Sequence, residues 1–251
     1  MLTRPALPSS ERDASVSDRM VSDMGRAFGS LLDFRYGAFK SLRNLSVGLL
    51  LLAGAAQAET VTIAALGDSL TAGYGLTPET GFVPQLQAWL DEAGADAVVI
   101  NAGVSGDTTA GGLSRVAWML TPEVDAMIIA LGANDYLRAI DPSVANENLQ
   151  GVIDLGAEAG VEMLLIGMEV GSNYGPEYKA AFDAMYPRLA EDNNIALFGN
   201  WFQGLRDVTA NQSEFTQYLQ GDGLHPTAEG VGLIVDVMGP AVLDLIASVE
   251  K

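Results

Sequence analysis

Cysteine is absent from the chain, and histidine occurs once, at position 225. Without cysteine there is no disulfide framework, no thiolate ligand for zinc and no thiol nucleophile. A single histidine leaves no His-rich metal site, so any imidazole chemistry has to pass through His225. Positive charge is scarce as well: 13 Lys and Arg stand against 32 Asp and Glu. That balance argues against a nucleic-acid partner, because holding a phosphate backbone takes clustered Lys and Arg. What is present is a composition of 49% hydrophobic and 18% charged residues, that of a packed globular chain.

The N-terminal 58 residues read differently from the rest. Lys40 and Arg43 precede an apolar run over 45–56, broken only by Ser46, Gly48 and Gly54, and the run ends in Ala56-Gln57-Ala58. A charged flank, a short apolar core and a small-x-small site are the pattern of a secretory signal peptide, with cleavage expected after Ala58. The run is too short to span a bilayer, which takes roughly 18 residues, and no Cys stands at the cleavage point to carry a lipid anchor. Residues 59–251 are therefore expected to form the exported domain, in the periplasm or outside the cell. They retain 6 of the 13 basic and 27 of the 32 acidic side chains, a formal charge of −21. Such a surface should stay in solution and be repelled by anionic lipid headgroups.

Within that domain five short apolar runs, at 61–66, 97–100, 126–131, 162–168 and 195–198, alternate with helical patterns at about 81–94, 109–120, 144–159, 177–192 and 226–249. The runs are near-continuous in Ala, Val, Ile, Leu and Met, as strands buried on both faces of a parallel sheet are. Gly94 and Gly160 fall where helix C-caps belong, and Pro226 is placed to open the last helix. The alternation predicts right-handed crossovers and a three-layer α/β/α sandwich on a five-stranded parallel sheet, one doubly wound domain. Trp89, Trp118 and Trp201 are expected in the core.

In such folds ligands bind beyond the carboxyl ends of the strands. The first run leads into Gly67-Asp68-Ser69-Leu70, which places a hydroxyl at a strand end or simply caps a helix. No G-x-S-x-G elbow, phosphate loop or dinucleotide fingerprint surrounds it. The second run leads into Ser105-Gly106-Asp107-Thr108, a helix start capped by Asp107 or Thr108, or a place where the Gly106 N–H faces a ligand. The third leads into Gly132-Ala133-Asn134-Asp135, where Asn134 is a turn residue or an amide donor to an oxyanion. Near the end stands Asp222-Gly223-Leu224-His225-Pro226. A carboxylate three residues before the imidazole, with glycine between, can fold back onto Nδ1 and leave Nε2 to deprotonate a hydroxyl.

Jointly these four blocks resemble the SGNH, or GDSL, hydrolase superfamily, with Ser69, Gly106, Asn134 and His225 in the family's order and Asp222 completing its D-x-x-H element. The resemblance extends over residues 60–248. Ser105-Gly106-Asp107-Thr108-Thr109, Gly112-Leu113-Ser114-Arg115, Asn173-Tyr174-Gly175 and the segment from Ala181 to Pro187 are similar to the thioesterase I, lysophospholipase and arylesterase branch. Glu169-Val170-Gly171-Ser172 departs from it, since that loop is usually more apolar and contains proline. The resemblance implies the flavodoxin-like SGNH fold, a triad of Ser69, His225 and Asp222, and an oxyanion hole from the Ser69 and Gly106 N–H groups and the Asn134 amide. It also implies a small ester or thioester substrate and no metal or cofactor. Asp68 and Asp135 are read as turn or capping residues. Imidazole ordinarily titrates near neutrality, so activity is expected to fall as a single ionisation below about pH 6–7. A carbohydrate O-deacetylase of the same fold, or a periplasmic binding module without catalysis, are the competing readings.

Overall fold

The structure is a computed structural model and describes residues 60–249. The expected leader and its cleavage point after Ala58 lie outside the described residues. Five strands, β1 (Val61–Gly67), β2 (Ala97–Gly103), β3 (Ala126–Ala130), β4 (Glu162–Ile166) and β5 (Ala196–Phe198), run parallel in the order β2-β1-β3-β4-β5. Each expected run yields a strand, trimmed or extended by a few residues where ladder pairing begins and ends. Because side chains alternate, Ile63 and Ala65 enter one core while Ala64 and Leu66 enter the other, all fully buried. Two-sided burial explains why β1 and β3 contain no exposed polar position.

Five longer helices connect and cover the sheet: α2 (Phe82–Glu92), α3 (Thr109–Met119), α5 (Pro142–Ala159), α6 (Pro176–Asn193) and α9 (Ala228–Ser248). α2 and α9 fill one face through residues such as Phe82, Leu86, Ile234 and Val242. α3, α5 and α6 fill the other through Val116, Leu149, Phe182 and Leu189. This is the three-layer α/β/α arrangement on a five-stranded parallel sheet. α9 is long and apolar enough to cross a membrane by composition alone. In this fold it instead packs beneath the sheet, with Val231, Ile234, Val235, Met238, Val242 and Leu245 buried.

Local chemistry sets the helix ends. Asp141 accepts from the Ser143 N–H, Pro142 opens α5, and Gly160 closes it in the left-handed conformation at φ +73°, where lack of a Cβ removes the steric penalty. Pro226 does not open the last helix. Thr227 is its N-cap, with a hydroxyl that accepts the Gly230 N–H at 3.1 Å, whereas Pro226 is held extended in a bridge with Leu219. Tryptophan divides: Trp201 is buried and Trp89 packs partly buried against the α2–α9 core, but Trp118 is 87% exposed on α3.

Four short helices, α1 (Ser69–Ala72), α4 (Ala133–Leu137), α7 (Gln203–Val208) and α8 (Gln212–Thr216), escape the sequence pattern. They are too short to show a helical period, and the first two sit directly past β1 and β3. Pairing of Gly67 with Gly103 and with Ala130 aligns the carboxyl ends of β1, β2 and β3. From β1 the chain goes outward to β2 and then returns to β3 on the other side. That reversal opens a crevice at the ends of β1 and β3.

Candidate active site

Ser69 is the first residue of α1, two residues beyond the strand end. Asp68 caps the turn, its Oδ1 accepting the Leu70 N–H at 3.0 Å. Gly67 has to lack a side chain here, since a Cβ would stand 2.0 Å from Thr71 Oγ1 and 3.0 Å from the Ala130 carbonyl. The tight approach of β1, β3 and α1 thus presents the Ser69 hydroxyl at the crevice.

The histidine segment arrives from the far end of the chain. His225 Nε2 stands 2.8 Å from Ser69 Oγ, and His225 Nδ1 stands 2.6 Å from Asp222 Oδ2. The other carboxylate oxygen, Oδ1, accepts the Leu224 and His225 N–H groups at 2.9 and 3.0 Å. The hydrogen bond with the imidazole, helped by those two backbone donors, draws the Asp222 carboxyl down to about 2. Its partners favour the charged form. Asp222 therefore stays ionised and fixes the ring, with Nδ1 as donor and Nε2 facing the hydroxyl. Gln220 braces the segment: its N–H donates to the His225 carbonyl, and its Nε2 to the Tyr74 and Pro226 carbonyls. The Tyr74 ring lies on the imidazole with centroids 4.6 Å apart. Neither contact was visible in the sequence, which joins these residues only through folding.

Asn134 is buried in the first turn of α4 and donates its Nδ2–H to Asp68 Oδ2 at 3.2 Å. Asp68 thus links the serine turn to the amide, beyond the capping role read for it. Burial pushes the Asp68 carboxyl up to about 6, against the opposing pull of the Leu70 N–H and the Asn134 amide. Beside the single ionisation expected in the acid limb, this buried carboxyl is therefore a second group that can contribute. Asp135 is fully buried and accepts from both the Thr109 N–H and Oγ1, at 2.8 and 2.7 Å, which fastens α4 to the start of α3.

Gly106 lies in the turn after β2 with φ +87°, and Thr108 rather than Asp107 caps α3. The N–H groups of Ser69 and Gly106 have no acceptor among the described residues. Arg115, quoted above only as part of a resemblance, clamps the strand ends. Its Nε meets Asp107 Oδ2 at 2.6 Å, its Nη1 the Ala102 carbonyl at 2.7 Å and its Nη2 the Gly67 carbonyl at 2.9 Å. One planar guanidinium thereby spaces the turns that follow β1 and β2.

Ser69, Asn134 and His225 open onto a cavity of about 210 Å³, walled by Leu70, Tyr136, Leu137, Met168, Val170 and Phe202. Gly106 and Asp222 are not part of that lining. Glu169 stands at the edge in an ion pair of 3.0 Å with Arg206. Among the described residues no three His, Cys, Asp or Glu side chains are grouped as a metal site requires.

A hydroxyl, an imidazole and a carboxylate in series at the crevice of a doubly wound sheet define the class, hydrolases built around serine. Residues 65–233 match the GDSL-like Lipase/Acylhydrolase family, and the chain belongs to it. It is 34% identical over 201 residues to the esterase TesA of Pseudomonas aeruginosa, covering 80% of this chain and 96% of that protein. An arylesterase of Vibrio mimicus is 35% identical over 189 residues, 75% of this chain and 91% of its own. The crystal structure of AlinE4, an SGNH-hydrolase family esterase, superposes with a TM-score of 0.61 at 37% identity, covering 74% of this chain and 97% of that one.

Proposed function

We propose that this chain is a serine esterase that hydrolyses carboxylic esters of short acyl groups. The observation that carries the reading is the unbroken hydrogen-bond series from Asp222 through His225 to Ser69, opening onto an apolar cavity. Its volume of about 210 Å³ is below the ~300–1,000 Å³ of drug-sized ligand pockets, which favours a small acyl group. Apolar walls also favour an acyl chain over a sugar.

In this reading His225 Nε2 takes the proton of Ser69 Oγ as the oxygen attacks the ester carbonyl. Negative charge moves to the former carbonyl oxygen, where the Ser69 N–H, the Gly106 N–H and the Asn134 amide receive it. A preorganised donor of this kind contributes about 3 kcal/mol to the transition state. Collapse of the intermediate expels the alcohol, which takes the proton from His225 and leaves an acyl-serine. Water, deprotonated by the same imidazole, then releases the acid and restores the hydroxyl. Acyl-thioesters present the same carbonyl with a thiol leaving group and fall within the same chemistry. The working form begins at Glu59, after export to the periplasm or beyond.

Ser69→Ala and His225→Ala should each abolish hydrolysis of p-nitrophenyl acetate and butyrate, with unfolding midpoints close to that of the parent. Most of the activity surviving in either variant would remove the assignment.

A further inference from the structure

The two oxyanion donors outside the serine turn come from different loops. Gly106 follows β2 and Asn134 begins α4 after β3, and β1 lies between those strands in the sheet. No ladder hydrogen bond therefore sets the spacing of the two loops directly. Two side chains among the described residues do. Asp135 reaches Thr109, three residues beyond the glycine. Arg138 reaches Gly106 itself, its Nη2 donating to the Gly106 carbonyl at 2.8 Å.

We propose that Arg138 is a positioning residue for the oxyanion hole, tying the helix that carries Asn134 to the glycine that supplies the second backbone donor. The inference rests on the esterase reading above. Arg138 caps the C-terminus of α4, its own N–H shared between the Asn134 and Asp135 carbonyls at 3.2 Å. Arg138 is thus bonded through its own N–H to the carbonyl of Asn134, across the single turn of α4. At the other end of the link, Gly106 occupies the third position of a turn closed by the Asp107 N–H on the Val104 carbonyl at 3.0 Å. A φ of +87° there is that of a type II turn, and turning the central peptide over converts it to type I. That central peptide carries the Gly106 N–H. Glycine tolerates both forms, so the turn sequence alone holds this donor weakly. With the Asp107 N–H and the Gly106 carbonyl both engaged, the next peptide is fixed on both of its edges. The pivot at Gly106 is thereby restrained. The following residue, Ala139, is held at φ +52°, a conformation costly for a residue with a Cβ. It is the bend by which the chain leaves α4.

The guanidinium is exposed, so its removal should leave stability nearly unchanged while loosening the donor. Steady-state kinetics on p-nitrophenyl butyrate with Arg138→Ala, Arg138→Lys and the parent test this. Arg138→Ala should lower kcat about tenfold, the scale of a hydrogen bond from a charged group, with KM within about twofold. That is less than the ~10²–10³-fold cost of deleting a donor outright. Arg138→Lys, which keeps a cationic donor on a long stem, should recover most of the loss. An unchanged kcat in Arg138→Ala overturns the proposal. So does a raised KM at constant kcat, which would make Arg138 a substrate contact, and so does failure of lysine to rescue. Ser69→Ala in the same assay separates the two levels: activity retained there, or none in the parent, removes the esterase reading and this inference with it.

Discussion

On the side of the cleft formed by β1, β2 and β3, geometry rests on buried carboxylates and directed hydrogen bonds. Asp68, Asp135 and Arg115 each hold two or three partners at fixed angles. On the side formed by β4, β5 and α7, Met168, Val170 and Phe202 meet the cavity through apolar contact. The ion pair of Glu169 with Arg206 joins the rim there, each partner about half exposed, at 50% and 47%, and the paired Lys179 and Asp183 of α6 hold the Val170 carbonyl and N–H. The contrast matches two different demands. Charge developing on one oxygen needs donors aimed within a fraction of an ångström, and mutually satisfied polar groups supply that. An acyl chain needs only volume and dryness, which packing supplies without direction.

The comparison can be broken most forcefully at Asp135. Asp135→Ala leaves the Thr109 N–H and hydroxyl buried without an acceptor, so unfolding in urea should show a loss of about 3 kcal/mol. A loss below about 1 kcal/mol would mean that the polar wall is no more rigid than the apolar one.

Asp68 gives the next largest effect, through pH. Its carboxyl is raised to about 6 in the folded chain, above its ordinary value near 3.8. The stability of the neutral form is therefore complete below about pH 3.8 and is lost as pH rises through about 6. The total is roughly 2–3 kcal/mol at ~1.4 kcal/mol per unit. Asp68→Asn should remove that slope from the stability–pH curve. It should also lower kcat, because an asparagine keeps one acceptor oxygen and cannot receive both the Leu70 and the Asn134 N–H groups. In the parent, the acid limb of kcat/KM should be steeper than one ionisation. An identical stability slope in both proteins would show that Asp68 is not the group responsible. Asp222 works in the opposite sense: its lowered carboxyl contributes stability above its ordinary range, lost as pH falls through about 2.

The apolar wall should respond in selectivity instead. Val170→Ala enlarges the cavity by two methyl groups, and a methylene in such a pocket is worth ~1–3 kcal/mol in discrimination. The ratio of octanoate to acetate turnover should rise roughly tenfold; a ratio unmoved would place the acyl group elsewhere. Smallest of all, Glu169→Ala should change stability by less than about 1 kcal/mol, as exposed ion pairs do. A larger change in the unfolding midpoint would make that pair a structural element of the wall.

The fold was legible in the sequence wherever burial on two faces or a long amphipathic period left a pattern. The strands β1, β3 and β4 and the five long helices announce themselves so, whereas the edge strands β2 and β5 keep exposed positions and were legible only as short apolar runs. The line Asp222-Gly223-Leu224-His225 was legible because the interacting groups are three residues apart, and local geometry brings them together. Ser69, Gly106 and Asn134 could be ordered by strand ends but not joined. Arg138 on Gly106, Arg115 on Gly67 and the burial of Asp68 were invisible, because each depends on residues 32 or more positions apart or on the packing around them. Trp118 misled for the same reason: residue type favours the interior, and only the placement of α3 sets that side chain outward.

The contact between Ser69 and His225 spans 156 positions of the chain, from the end of the first strand to the threshold of the last helix. Synthesis runs in that direction, so a ribosome completes all five strands before it adds the imidazole. A truncated chain ending before residue 225 lacks the imidazole, the base of the proposed reaction, and with it α9, which fills one face of the sheet. In the proposed reaction the nucleophile is made first and armed last. On the proposed mechanism, ester hydrolysis is thus withheld from every unfinished copy by the order of the residues.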